Sequence, residues 1–242
     1  MPYLVLDLDK TTFVVCSDKQ EIHVNHELSP NILKGELTLG QNTVLRDLQI
    51  INLEDLSKLI DAACTDYDGI IILTSGFWTR DILAVIEPQL NISPQSRVKL
   101  KQSYFHSPTT DAELFHFDPM IVYKMDKNIR LNRIIATNPA LNGKHFVVLD
   151  DNSRQVRSFA SEPHVKAVLA TTAKPEKLFY QQAILTLAQA KEEEKLKLEG
   201  RTTVDAEENV PNQRFFKRRR VEDEEYDAAL LLLAFQGTTS NN

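Results

Sequence analysis

Cysteine is scarce in this 242-residue chain, and the two present, Cys16 and Cys64, belong to no CxxC pair. Their scarcity excludes a disulfide framework and, with no other gathering of soft ligands, a structural zinc site; it fits a reducing compartment. An excess of basic charge is missing as well, the formal net charge being -6. A protein that grips nucleic acid by neutralising phosphates needs a basic surface, so nucleic acid is not an expected partner. Long apolar runs are absent too. The run that opens at Tyr3 is soon interrupted by aspartates and follows no basic segment, and the late run AALLLLAF is far too short to cross a bilayer. Neither a signal peptide nor a membrane span is expected, and the chain reads as soluble and cytoplasmic. The six histidines form no HExxH, His23 and His26 read as surface residues, and no P-loop is found.

What remains is an ordinary globular composition, 42% hydrophobic and 26% charged. The length suits one main domain with a tail. Four short apolar, β-branched-rich runs, at 3–8, 69–73, 120–123 and 145–149, read as buried parallel strands, with 165–170 a fifth candidate. Helical spacing fills the intervals at 53–64, at 79–90 behind a Thr79 cap, and at 127–137. Strands alternating with helices predict an α/β fold, a doubly wound (Rossmann-like) parallel sheet. Residues 14–51 lack helical period and carry turn signals at Ser29-Pro30, Lys34-Gly35 and Leu39-Gly40, which predicts β-hairpins inserted after the first strand as a flap over the site. A long helix is expected over 174–199, with Pro175 at its start, Gly200 at its stop and a charged second half that projects into solvent. Beyond it the chain is polar, basic over 214–220 and acidic over 222–227, so the folded domain is expected to span 1–200 and a flexible tail 201–242.

The chemistry gathers at strand ends. Asp7 and Asp9, two residues apart at the end of the first strand, direct their carboxylates to one side by alternation. Open α/β sheets bind ligands beyond the carboxyl ends of their strands. A lone DxD is as often a solvated strand end, yet two further apolar runs end in polar clusters, Thr74-Ser75-Gly76 and Asp150-Asp151. Carboxylates at the end of a buried run are costly without a compensating cation, and magnesium is the natural one.

In this order the chain resembles the haloacid dehalogenase superfamily: DLDKT at 7–11, IIILTSG at 70–76, Lys124 in MIVYK, and FVVLDDN at 146–152. The resemblance covers about the first 160 residues. It implies a magnesium-dependent phosphatase in which Asp7 attacks phosphorus and Asp9 protonates the leaving oxygen and later deprotonates water. Thr74 and a lysine would hold the transferring phosphoryl group. Thr11, Ser75, Gly76 and Lys127 would line the substrate, and Asp7, the carbonyl of Asp9, Asp151 and Asp150 would hold the metal. The strand-end position favours Lys124 as that lysine over Lys127, Lys99 and Lys101. Four residues after the metal-binding acid, where the family often has another acid, this chain has Gln155. A cysteine-dependent mechanism is not supported, because the Arg it needs six residues after its Cys is replaced by Ile22 and Ile70.

Modest intervals between the motifs, and LDDNS itself, resemble the capless members, whose open sites accept phosphorylated proteins. A phosphoprotein substrate is therefore expected, phosphotyrosine in particular. A small-metabolite phosphatase and a non-catalytic module that binds a phosphorylated partner are the alternatives. In the tail, RFFKRRR reads as a solvated charge cluster, while EDEEYDAALLLLAF resembles the secretion signals of bacterial type IV effectors, which implies a secretion system as partner and a host cell as destination.

Overall fold

Alternation along three strands sets the architecture. In β1 (Tyr3–Leu6), β5 (Gly69–Leu73) and β7 (Phe146–Asp150), Leu4, Leu6, Ile70, Ile72, Val147 and Leu149 pack into one core. Val5, Ile71, Leu73, Phe146 and Val148 pack into a second. A strand with both faces apolar must be covered on both sides, which a parallel sheet in an α/β fold achieves. The computed structural model describes residues 1–16, 27–39, 42–170 and 178–198.

Five parallel strands form the central sheet in the order β6-β5-β1-β7-β8, with β6 at Tyr104–His106 and β8 at Val165–Leu169. On one face, the first core is completed by α1 (Leu53–Thr65), α2 (Ile82–Ile86), α3 (Pro94–Lys101) and α8 (Leu178–Leu198). The other face is covered by α6 (Lys127–Thr137) and α7 (Ser153–Phe159). The sheet is thus doubly wound. The chain runs outward from β1 through β5 to β6, then returns to β7 on the opposite side of β1, so the topological switch point lies between β1 and β7.

Between β1 and α1 sits the inserted antiparallel sheet, β2 (Phe13–Val15), β4 (Asn42–Ile50) and β3 (Leu33–Leu39), with β4 central. The expected turn at Lys34-Gly35 falls instead inside β3, where Lys34 pairs with Asp47 and Gly35 with Arg46. Glycine serves packing there: a Cβ on Gly35 would lie 2.7 Å from Ile82 Cδ1 and 3.0 Å from Trp78 Cζ3.

Two expected elements are corrected. Residues 120–123, expected as a strand, belong to helix α5 (Pro119–Lys124). Asp118 caps it by accepting from the Met120 amide at 2.7 Å, and Pro119 opens it. Only Val122 is fully buried there; Met120 and Tyr123 face solvent, the pattern of a surface helix. The place of the 120–123 strand in the sheet is taken by β6, between α3 and α4 (Pro108–Phe115), while the candidate at 165–170 is β8. The helix expected behind Thr79 is shorter, beginning at Ile82 and passing into a 3-10 turn at Glu87–Gln89, where Pro88 lacks the amide to continue it.

Within the described part of α8 the charged half lies against the domain rather than projecting: Lys166 pairs with Glu193 at 2.5 Å, the N-terminal amine pairs with Glu194, and Lys191 lies over the Tyr67 ring. The expected start at Pro175, the stop at Gly200, His23, His26 and the tail lie outside the described residues.

Candidate active site

The turn after β1 builds one wall. Lys10 adopts a left-handed conformation (φ 56°), and the Thr12 and Phe13 amides both donate to the Leu8 carbonyl, at 2.8 and 3.1 Å. This tight reversal leaves Asp7 buried and Asp9 half-buried. Thr12 Oγ1 donates to the Asp7 carbonyl at 2.7 Å, and Tyr180 of α8 donates to the Thr11 carbonyl at 2.6 Å. The Thr11 hydroxyl is buried without a hydrogen-bond partner among the described residues.

Lys127, the first residue of α6, points into the same space. Its Nζ lies 2.8 Å from Asp7 Oδ1 and 2.7 Å from Asp150 Oδ2, with all three residues buried. Its amide donates to Gln155 Oε1 at 2.9 Å, so the residue standing where an acid was expected anchors the helix that carries the lysine. Burial pushes the ammonium down, but Asp7 and Asp150 outweigh it and raise the pKa above the ordinary lysine value. Lys124 is exposed at the end of α5. The strand that favoured Lys124 is a helix, and the position beside the carboxylates belongs to Lys127. Of the other candidates, Lys99 donates to the Cys64 carbonyl at 2.5 Å and Lys101 pairs with Glu87 at 3.3 Å, both on α3.

Thr74 closes β5 with every polar group engaged. Its amide donates to the His106 carbonyl at 3.0 Å, and its carbonyl accepts from Arg130 at 2.9 Å. Its hydroxyl donates to Asp9 Oδ2 at 3.3 Å and accepts from the Gly76 amide at 3.0 Å. Asp9 is also held by the buried indole of Trp78, 2.9 Å from Oδ1 and 3.0 Å from Oδ2. Phe13 packs edge-on against that indole at 5.0 Å. Gly76 is required by close approach: a Cβ there would come within 2.5 Å of Trp78 Nε1 and closer still to Asp9 Oδ2. Ser75 and Gly76 are half-buried beside them.

At the end of β7, Asp150 Oδ1 accepts from the Asn152 amide at 2.8 Å, while Asp151 is half-buried. Burial, Asp150 and lesser charges push Asp151 up to about 6, against the pull of Lys127. Asp7 is raised well above the ordinary range, first by burial, with Asp150, Asp9 and Asp151 adding to it against Lys127. The cause is a surplus of buried negative charge that one ammonium does not balance. Oxygens of Asp7, Asp150 and Asp151 lie within 4.8 Å of one another. Three hard oxygen donors, short of positive charge even with Lys127 beside them, fit a divalent cation such as magnesium. Cys64 is buried and its thiol is pushed up to about 11, an inert packing residue.

The site residues brought together are thus Asp7, Asp9, Thr74, Lys127, Asp150 and Asp151, on strands and a helix that meet at the switch point. The sequence reading missed Trp78, Arg130 and the bracing role of Gln155. Trp78, the chain's one tryptophan, closely follows the TSG cluster, a signal that was available. Arg130 lies one helical turn after Lys127, a spacing that puts both on one face of α6.

No family model matches the chain, and no curated protein matches it. Solved structures do match. The structure of Fcp1, an essential RNA polymerase II CTD phosphatase, is 16% identical with a TM-score of 0.41, over 93% of this chain and 61% of that one. The fission yeast RNA polymerase II CTD phosphatase Fcp1, as a variant bound to beryllium fluoride, is 15% identical with a TM-score of 0.38, over 93% of this chain and 62% of that one. The chain spans about three-fifths of the length of both.

Proposed function

We propose that the chain is a magnesium-dependent phosphatase of the haloacid dehalogenase type, hydrolysing phosphomonoesters through an aspartyl-phosphate on Asp7. One observation carries this reading: Lys127 bridges Asp7 and Asp150 at 2.8 and 2.7 Å where β1 and β7 meet at the switch point, with Asp9 fixed beside them by Trp78 and Thr74. A single strand end with two acids is common; a buried ammonium shared by carboxylates from two adjacent strands is a site built to receive an anion between charges.

An Asp7 carboxylate oxygen attacks phosphorus, and the bond from phosphorus to the leaving oxygen breaks. Asp9, carrying a proton, gives it to that oxygen; the indole N–H of Trp78 holds its carboxyl group in place meanwhile, leaving the Thr74 proton for the phosphoryl group. Water then attacks the aspartyl-phosphate and Asp9 takes up its proton, releasing inorganic phosphate and restoring both residues. Lys127 and the Thr74 hydroxyl hold the phosphoryl oxygens. Asp7, the Asp9 carbonyl, Asp151 and Asp150 would hold magnesium, which when bound neutralises charge on the phosphate.

For substrate we infer a phosphoprotein, phosphotyrosine in particular. Between β5 and Lys127 the described chain is short helices and one edge strand, which supports an open, capless site. Beside Gly76, Phe77 stacks on the half-exposed Tyr123 with ring centroids 5.3 Å apart, an apolar flank suited to an aromatic leaving group. We assign the catalytic domain to 1–200, with 201–242 as a separate tail.

The test is hydrolysis of a generic aryl phosphate by the wild type and by Asp7→Asn, with and without EDTA. Activity should vanish in the variant and on chelation, and a phosphopeptide panel should outperform sugar and nucleotide phosphates. Binding of phosphate by a wild type that does not turn over would move the reading to a phospho-partner binding module.

A further inference from the structure

Behind Thr74, away from Asp9, lies a second buried charge pair. Arg130 is fully buried and spends its planar fork on two partners. Nε and Nη2 donate to Asp111 Oδ2 at 2.8 and 2.7 Å, and Nη1 donates to the Thr74 carbonyl at 2.9 Å. Asp111, itself fully buried in α4, takes the His106 ring on its other oxygen, with Nδ1 2.7 Å from Oδ1. The His106 carbonyl in turn accepts from the Thr74 amide at 3.0 Å. Thr74 is therefore clamped from both sides of its backbone by residues that share one carboxylate.

A buried ion pair is a poor device for stability, since apolar residues of similar volume commonly do as well. What it supplies is geometry: a guanidinium is planar, always charged, and presents donors at fixed angles. Here the donors join α6, which carries Lys127 on the same face one turn earlier, to the residue whose hydroxyl faces Asp9.

We propose that Arg130 is a positioning residue for phosphoryl transfer, fixing through the Thr74 carbonyl the spacing between the Thr74 hydroxyl and the Lys127 ammonium. This rests on the phosphatase reading above. Arg130 touches no reacting atom; it holds two groups that do.

The experiment is steady-state kinetics on an aryl phosphate for the wild type, Arg130→Lys, Thr74→Ala and the double variant, with urea unfolding of each. Lysine keeps the charge beside Asp111 but cannot span to the carbonyl as a fork does. The expected result is a loss in kcat of about 30- to 100-fold for Arg130→Lys, with KM changed less than about threefold, as a displacement near 1 Å costs. In the Thr74→Ala background the same change should cost less than about threefold, because a residue acting through Thr74 has nothing left to position. Losses that simply multiply, or an Arg130→Lys variant with wild-type kcat, overturn the inference while leaving the phosphatase reading intact. A wild type without turnover overturns both. Should Arg130→Lys fail to fold, Asp111→Asn, which keeps the guanidinium and neutralises its partner, is put through the same cycle with the same two outcomes.

Discussion

Two lysines three residues apart stand in opposite surroundings. Lys124 ends α5 in solvent; Lys127 begins α6 buried between Asp7 and Asp150. Removing Lys127 takes away the cation that pairs with Asp7 and Asp150 and, in the proposed mechanism, a ligand for the phosphoryl oxygens. Lys127→Met should lower kcat by about 100- to 1000-fold, the loss typical of a preorganised donor. Lys124→Met should stay within about twofold, in the ordinary range for surface changes. Kinetics on one aryl phosphate decide it, and a large loss for Lys124 alone would reverse the assignment. At this scale the acids and Thr74 were legible because each ends an apolar run and carries its signal locally. Lys127 against Lys124 was not, because the choice depends on which way a helix starts. Trp78, Arg130 and Gln155 act across the fold; Trp78 beside the TSG cluster and Arg130 one turn after Lys127 carried only a hint of place, and none of the three showed its partner locally.

Elements were legible where burial was two-sided. The strands β1, β5 and β7 and the helix 127–137 followed from apolar runs and helical spacing. α5 looked like a strand because MIVY is apolar and β-rich, yet Asp118 and Pro119 ahead of it are a helix start. β6 escaped because three residues at the sheet edge, one of them fully buried, give periodicity nothing to work on. The long last helix was expected, but not its attachment. Tyr180 is fully buried and its hydroxyl reaches the Thr11 carbonyl at 2.6 Å and the Ile51 carbonyl at 3.4 Å, tying α8 to the turn that carries Asp7 and Asp9. Tyr180→Phe leaves those buried acceptors short of a donor and should cost about 1 to 3 kcal/mol. It should show as a lower urea midpoint at unchanged slope. An unshifted midpoint would mean that α8 contributes packing alone.

For the whole molecule, the switch point concentrates negative charge on an already acidic chain, which makes its stability a reporter of what occupies the site. Asp151 sits at about 6 when no cation is present, above its ordinary 3.8, so between those values the folded protein binds more protons than the unfolded chain. Stability of the metal-free protein therefore falls as pH rises from about 4 to about 6 through this group, and the full cost remains above that. In the proposed site, magnesium would offset the same surplus and would compete with the proton for it. Melting curves with and without magnesium, taken from about pH 5 to pH 8, should show the largest magnesium-induced rise above pH 6. At about ten times the Kd the rise should be roughly 3 to 6 °C. It should shrink as pH drops through about 6, the point at which Asp151 takes up its proton. Asp151→Asn should abolish most of the rise and flatten its pH dependence. A rise of equal size at both ends of the range would mean that the cation binds away from Asp151, and no rise at any pH would remove the metal from the site.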